Sequence, residues 1–323
     1  MPEYVACNLC GADDARLLFR RGDYRYWIDD AEWSVVQCRN CGLGYINPRP
    51  TEEEIARYYV GGYYDQRDAF AERYRRQARY LAGPPSRLLD IGTAGGQFLV
   101  VMRDLGWDVA GIEPFAENGT PDAVEISHSR FPAEQAYAPE SFDVVTAWAV
   151  FEHLHDPLAA FGACAELLRP AGRLIIQVPS LRSVSVRLGH QDDTPRHLYL
   201  FSPKSLRRYA GAVGLEVERM SDVTDLFSAG SRGSLRRLAF RAVGRTDRDL
   251  ALLLRQPRSE RFRRAPLLAG VATAANLLDR LLLPKWLLRA TGLSGQIVAE
   301  FRKPVGAPMR RPEAVPLVDA AAP

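Results

Sequence analysis

The chain has 323 residues, 47% of them hydrophobic and 25% charged, as expected of a folded globular protein with room for one large domain or two modest ones. The net charge of +3 is too small to imply nucleic-acid binding by itself. Of 42 basic residues only Lys204, Lys285 and Lys303 are lysines, a bias that points to GC-rich coding DNA rather than to a function. No run of about 18 uninterrupted apolar residues exists, so no membrane-spanning helix is expected. Residues 1–20 carry cysteines and charges where a signal peptide would have its apolar core, and the expected address is cytoplasmic.

Residues 1–50 form the first unit. Four of the five cysteines fall in two knuckles, CNLCG (Cys7, Cys10) and CRNCGLGY (Cys38, Cys41), with a 27-residue gap between them. In a reducing compartment this spacing points to metal rather than to disulfides. Four thiolates close a tetrahedral zinc shell and leave no open position for water, so the metal is expected to be structural. The aromatic-rich stretch Leu17–Val36 between the knuckles suits short strands. Cys164 stands alone in an apolar helical context and reads as a packing residue.

Residues 51–85 read as a helical lid or linker. Thr51 with Glu54 three residues later is a capping box, which predicts a helix start. A second helix is expected over Gln66–Leu81, and Gly83-Pro84-Pro85 breaks the chain. Tyr58, Tyr59, Tyr63 and Tyr64 cluster here, either covering a ligand or simply packing.

From Ser86 the pattern alternates. Strands are expected at Arg87–Ile91, Asp108–Ile112, Val124–Ile126, Phe142–Trp148, Arg173–Val178, Leu215–Met220 and Gly295–Arg302. Helices are expected at Gly96–Leu105, Leu158–Leu168 and Ser202–Val213. This predicts an α/β fold, Rossmann-like, with a seven-stranded sheet and helices on both faces over residues 86–303. Residues 228–290 interrupt the last two strands with helical spacing and 14 Arg/Lys against 4 Asp/Glu. Residues 304–323 are rich in Pro and Ala and are expected to be disordered.

The segment Leu88–Leu99 (LLDIGTAGGQFL) is a strand, a glycine turn and a helix start. Glycines there let the backbone turn tightly and approach a ligand closely. Asp90, just before the turn, can hold a cationic amino group and would sit poorly against a pyrophosphate. Glu113, at the end of the next strand, is placed to accept from ribose hydroxyls. With FDVVTAWAVFEHLHDP (142–157) and ELLRPAGRLIIQVP (166–179), these segments resemble the class I S-adenosylmethionine (SAM)-dependent methyltransferases over about residues 86–222 and 295–302.

The resemblance implies that Asp90, Gly92 and Gly95 surround the methionine part of SAM, that Glu113 binds the ribose, and that Glu134, in Pro132-Ala133-Glu134, lies near the adenine edge. It implies that Trp148 lines the methyl-transfer site. The family commonly has glycine at the position of Ala94; alanine there is tolerated if its φ is negative, and a slightly altered loop with retained binding is expected. A four-cysteine module before such a domain resembles methyltransferases found with bacterial polysaccharide and natural-product genes. The implied function is methyl transfer to a small-molecule acceptor: a sugar, a glycolipid precursor or a secondary metabolite. The alternative is an RNA methyltransferase that uses the zinc module and the basic insertion to hold its substrate.

A base helps if the acceptor is a hydroxyl or a carbon acid. Glu152 and His153 are the first candidates, and the alternative for them is a scaffold role with His153 packing and Glu152 capping a helix. His197, in Asp192-Asp193-Thr194-Pro195-Arg196-His197, is the second candidate, and Arg196 could grip a substrate anion. His128 and His190 read as surface residues. The basic insertion 228–290, with Arg232, Arg236 and Arg237 beside Leu235, Leu238 and Phe240, reads as a solvated face, a peripheral membrane contact or an RNA contact. Few aromatics are interleaved for base stacking, which counts against RNA. The sequence leaves the oligomeric state open.

Overall fold

The computed structural model describes residues 1–60, 71–81, 83–115, 124–134, 136–191, 193–223, 226 and 233–306. Tyr63, Tyr64, the first half of the expected helix 66–81, Asp192, residues 228–232 with Arg232, and residues 307–323 lie outside them.

The apolar alternation after Ser86 produces one seven-stranded sheet. Its strands are β4 (Arg87–Ile91), β5 (Asp108–Ile112), β6 (Glu125–Ser127), β7 (Phe142–Trp148), β8 (Leu168–Pro179), β10 (Glu216–Val223) and β11 (Gln296–Arg302), in the order β10-β11-β8-β7-β4-β5-β6. The strands β4 to β8 pair in parallel, while β11 runs antiparallel to both β8 and β10. Neighbouring residues on one strand bury on opposite sides. Leu89, Val145, Leu174, Ile176 and Ile297 enter one apolar cluster, and Leu88, Val144, Ile175 and Val298 enter another. A sheet with two buried faces needs helices on both. Phe98 and Met102 of α3 (Gln97–Asp104) cover the second face; Phe161 of α4 (Pro157–Leu167) and Leu206 and Tyr209 of α6 (Pro203–Val213) cover the first.

The first fifty residues make a smaller antiparallel sheet from β1 (Ala15–Gly22), β2 (Glu32–Cys38) and β3 (Gly44–Ile46). Its fourth strand is β9 (Tyr199–Leu200), contributed from beyond β8. Further ties fasten the module: Asn8 Nδ2 donates to Asp156 Oδ1 at 2.9 Å, and Arg49 donates to the His155 carbonyl at 2.7 Å. The Thr51–Glu54 capping box forms and starts the short α1 (Glu52–Ile55), and Cys164 is fully buried. The second expected helix is described as α2 (Ala71–Ala78). Among the described residues between α3 and β9, α5 (Val184–Arg187) adds to the helices named above.

The insertion is helical: α7 (Ser234–Ala242), α8 (Asp247–Arg255), α9 (Arg258–Arg264), α10 (Pro266–Leu282) and α11 (Lys285–Thr291). Phe240, Leu250, Leu253 and Ala272 give it a core of its own. Among the described residues no single helix is long and apolar enough to cross a membrane.

Candidate active site

A cavity of about 1360 Å³ opens at the carboxyl ends of β4, β5, β7 and β8. One part of its wall is the glycine turn. Gly92 has φ +68°, and a Cβ there would stand 2.5 Å from Val150 Cγ2, so both the backbone angle and the space require glycine. Gly95 also lines the cavity.

Ala94 departs from expectation. Its φ is +50°, in the left-handed region, not negative. The turn orients the Ala94 N–H at Glu113 Oε2, 2.9 Å away, and that bond offsets part of the strain of an alanine in this conformation.

Asp90 is 2% exposed and accepts from Thr146 Oγ1 at 2.6 Å. Burial pushes its pKa up to about 7, the Thr146 bond opposes this, and the charge of Glu113 adds to it. A carboxylate desolvated to this degree is a strong site for a ligand cation. Glu113 is buried too, and burial raises its pKa against the bonds from the Phe115 and Ala94 N–H groups. Trp148 lines the cavity and packs edge-on against Phe98, with ring centroids 5.7 Å apart. Glu134 is not placed as the resemblance implied. It is exposed and accepts from the Arg130 N–H at 2.9 Å, folding back on its own turn, and Pro132 and Ala133 line the cavity instead.

The opposite wall brings together Glu152, His153, Asp193 and His197. His197 Nε2 stands 3.9 Å from Glu152 Oε1 and 3.7 Å from Asp193 Oδ2. The His153 and His197 rings meet edge to face at 4.7 Å, and Tyr59 Oη lies 2.9 Å from His153 Nδ1. Burial, reinforced by the charge of His197, lowers the pKa of His153 to about 3. Burial, reinforced by the charge of Asp193, raises that of Glu152 to about 8. Burial works against ionisation of Asp193, yet the charges of His197, Arg196 and Arg25 hold it below the usual carboxylate range. One ligand atom each from Glu152, His153 and His197 lies within 4.8 Å of the others, so this trio can share either a proton or a cation.

Three expectations for this region change. Arg196 is fully buried, paired with Asp23 at 2.9 Å and Asp193 at 2.8 Å and donating to the Tyr58 carbonyl, so it braces the loop rather than gripping a substrate. Glu152 caps no helix; the cap of α4 is Asp156, whose side chain accepts from the Ala159 N–H. His190 is buried, 3.8 Å from Asp247, not a surface residue. Sequence reasoning missed Asp193 as the partner of His197, although an acid four residues before a histidine was a usable signal. It also missed Asp23 of the module, for which no local signal exists.

The four cysteines converge. Cys7 and Cys41 sulfurs are 3.3 Å apart, those of Cys10 and Cys38 3.6 Å, and all four lie within 4.8 Å of one another. A zinc ion with Zn–S bonds of about 2.3 Å needs sulfur separations of about 3.8 Å, so the cluster has the right size.

A family model described as a methyltransferase domain matches residues 63–219. Over this segment the chain is similar to methyltransferase domains. The ubiquinone biosynthesis O-methyltransferase of Aeromonas salmonicida is 30% identical over 156 residues, 42% of this chain and 66% of that protein. Its namesake in Rhodopseudomonas palustris is 33% identical over 118 residues, 34% of this chain and 47% of that protein. The chain thus spans about half the length of the first curated relatives it matches. The solved structure of 1,6-didemethyltoxoflavin-N1-methyltransferase from Burkholderia thailandensis, with bound 1,6-didemethyltoxoflavin and S-adenosylhomocysteine, aligns at TM-score 0.49 and 14% identity, covering 88% of this chain and 99% of that one. Residues 63–219, the segment matched, supply most of both walls of the cavity; Arg25, residues between 52 and 59, and Gln296 of β11 supply the rest.

Proposed function

We propose that the chain transfers a methyl group from SAM to a hydroxyl of a small-molecule acceptor, with His197 as the base. The observation that carries this reading is that Asp90 and His197 line one cavity, whose volume exceeds the roughly 300–1,000 Å³ of a single ligand pocket and leaves room for an acceptor beside the cofactor. The names of the relatives, O-methyltransferases of a biosynthetic pathway, support a small acceptor and a hydroxyl nucleophile. Nothing favours the RNA reading.

SAM supplies an electrophilic methyl group when bound. Asp90 would hold its amino group, Glu113 its ribose hydroxyls, and the turn at Gly92 and Gly95 would let the backbone approach it. His197 accepts the acceptor's proton, and the ionised Asp193 neutralises the resulting imidazolium. Glu152, kept protonated by burial, donates a hydrogen bond to the acceptor oxygen from Oε2, which has no partner among the described residues. Cys7, Cys10, Cys38 and Cys41 would hold one zinc ion, which would staple the module and leave no open position for chemistry.

Calorimetry tests the cofactor half: SAM binds the native chain, and Asp90→Ala abolishes binding. Transfer of labelled methyl from SAM to a small-molecule fraction tests the other half. Label that appears equally with His197→Ala would remove the base assignment, and label appearing only in RNA would remove the acceptor class.

A further inference from the structure

The surface of α10 and α11 leaves a row of large apolar side chains exposed. The buried residues of α10 are Ala269, Ala272, Ala275 and Asp279, with Leu268 and Val271 partly buried against the insertion's core, and the Asp279 carboxylate accepts from the Leu235 and Arg236 N–H groups at the start of α7. The other face carries the large apolar side chains. Leu267 is 77% exposed, Leu281 65% and Leu282 59%, with Leu277 and Leu278 beside them, and Trp286 of α11 is 70% exposed. Their spacing, i, i+10, i+11, i+14 and i+15, keeps the leucines on one side of a helix. Contiguous exposed leucines ending in a tryptophan mark a surface that is covered in use.

We propose that this face docks on an anionic lipid bilayer, with α10 and α11 lying in its interface. Charge selects that occupant. Between Gln256 and Thr291 stand seven Arg/Lys and two acids, and one of those acids, Asp279, is buried under α7. Arg263, Arg264, Arg280, Lys285 and Arg289 are exposed around the leucines. A second copy on the same face would bring two such cationic rims together, whereas anionic headgroups neutralise them. Length selects the depth. The 17 residues of α10 reach about 25 Å, short of a hydrocarbon core of about 30 Å; α10 and α11 together have the length and composition of a span, but they bend by 56° where they meet, and α10 is held on one side against α7. The pair therefore lies along the interface rather than across it. The amphipathic stretch read around Arg236 is not this surface, because Phe240 of α7 is buried in the insertion's own core.

The test uses the full chain and sedimented vesicles, of phosphatidylcholine alone or mixed with phosphatidylglycerol. Capture is expected only by the mixed vesicles, and added salt weakens it. Leu281→Gln with Leu282→Gln is expected to weaken capture by about tenfold per leucine. Arg280→Gln with Arg289→Gln should weaken it at low salt only. Both pairs are exposed, so an unchanged Tm is expected and certifies the fold. Failure of the mixed vesicles to capture the chain, or capture that both variants leave intact, overturns the proposal. A dimer seen by light scattering and dissolved by the leucine variant also overturns it, in favour of a second copy.

Discussion

The Tyr59 hydroxyl stands 2.9 Å from Nδ1 of His153, and it ties the segment after the cysteine module to the wall of the cavity that carries Glu152, His153 and His197. Burial keeps His153 neutral at any physiological pH. Its ring is therefore an oriented dipole, and the Tyr59 bond sets which nitrogen carries the proton. Tyr59→Phe is expected to lower kcat/KM by about five- to tenfold, the worth of one such bond. SAM affinity, read by calorimetry, should not move. A matching loss of affinity would place Tyr59 on the cofactor.

His197 is the group for which the largest rate effect is expected. His197→Ala should lower kcat by about 100-fold or more with SAM affinity intact. Asp193→Asn should lower kcat too, and should move the acid limb of the pH–rate profile to lower pH, because the anion that favours a protonated base is gone. If activity falls when divalent cations are stripped and returns with Mn²⁺, the Glu152, His153 and His197 trio holds a cation rather than a proton.

Much of this is legible in the sequence. The strands around Leu88–Leu89 and Val144–Val145 were visible because buried parallel strands read as short apolar runs, and the antiparallel return of β11 was not, because pairing direction leaves no trace in such a run. Asp90 and Glu113 were legible because a glycine turn fixes where its neighbours point. Glu134 and Ala94 were misplaced because single side-chain directions and φ signs depend on tertiary contacts, here the Arg130 and Glu113 hydrogen bonds. The Asp23–Arg196–Asp193 bracing spans 173 residues of sequence, and no local pattern encodes a contact of that range.

The raised pKa of Asp90 gives the cofactor affinity a pH dependence with a definite sign. The ionised carboxylate is the form that holds an ammonium, and in the ligand-free chain it titrates near 7. SAM affinity should be level above that pH and fall by up to about tenfold per unit below it. The fold shows the opposite slope. An acid whose folded pKa lies above its unfolded value of 3.8 costs stability as pH rises between the two. The ligand-free native chain should therefore lose Tm relative to Asp90→Asn over about pH 4 to 7. Equal slopes for the two proteins would show that Asp90 is not desolvated.

Ala94 holds a left-handed angle that costs an L-residue about 1 kcal/mol. Ala94→Gly removes that strain while keeping the N–H that reaches Glu113. Thermal unfolding should show a gain of about 0.5–1 kcal/mol, reduced by the extra freedom of glycine in the unfolded chain. SAM affinity should be retained, and a loss would mean that the methyl group itself shapes the pocket.

The cysteine cluster reaches the His197 wall of the cavity through pairing, since β9 adds to β3 and begins two residues after His197. Asp23, just beyond β1, holds Arg196 and through it Asp193. Asp90 and Glu113, in contrast, stand at β4 and just past β5 in the other sheet. Stripping the metal, or Cys38→Ser, should therefore separate the two halves of the site. One zinc per chain should appear in a colorimetric release assay, turnover should collapse, and S-adenosylhomocysteine should still bind within a few-fold of its native affinity. Loss of cofactor binding in step with zinc would show instead that the module is required for the seven-stranded sheet to fold at all.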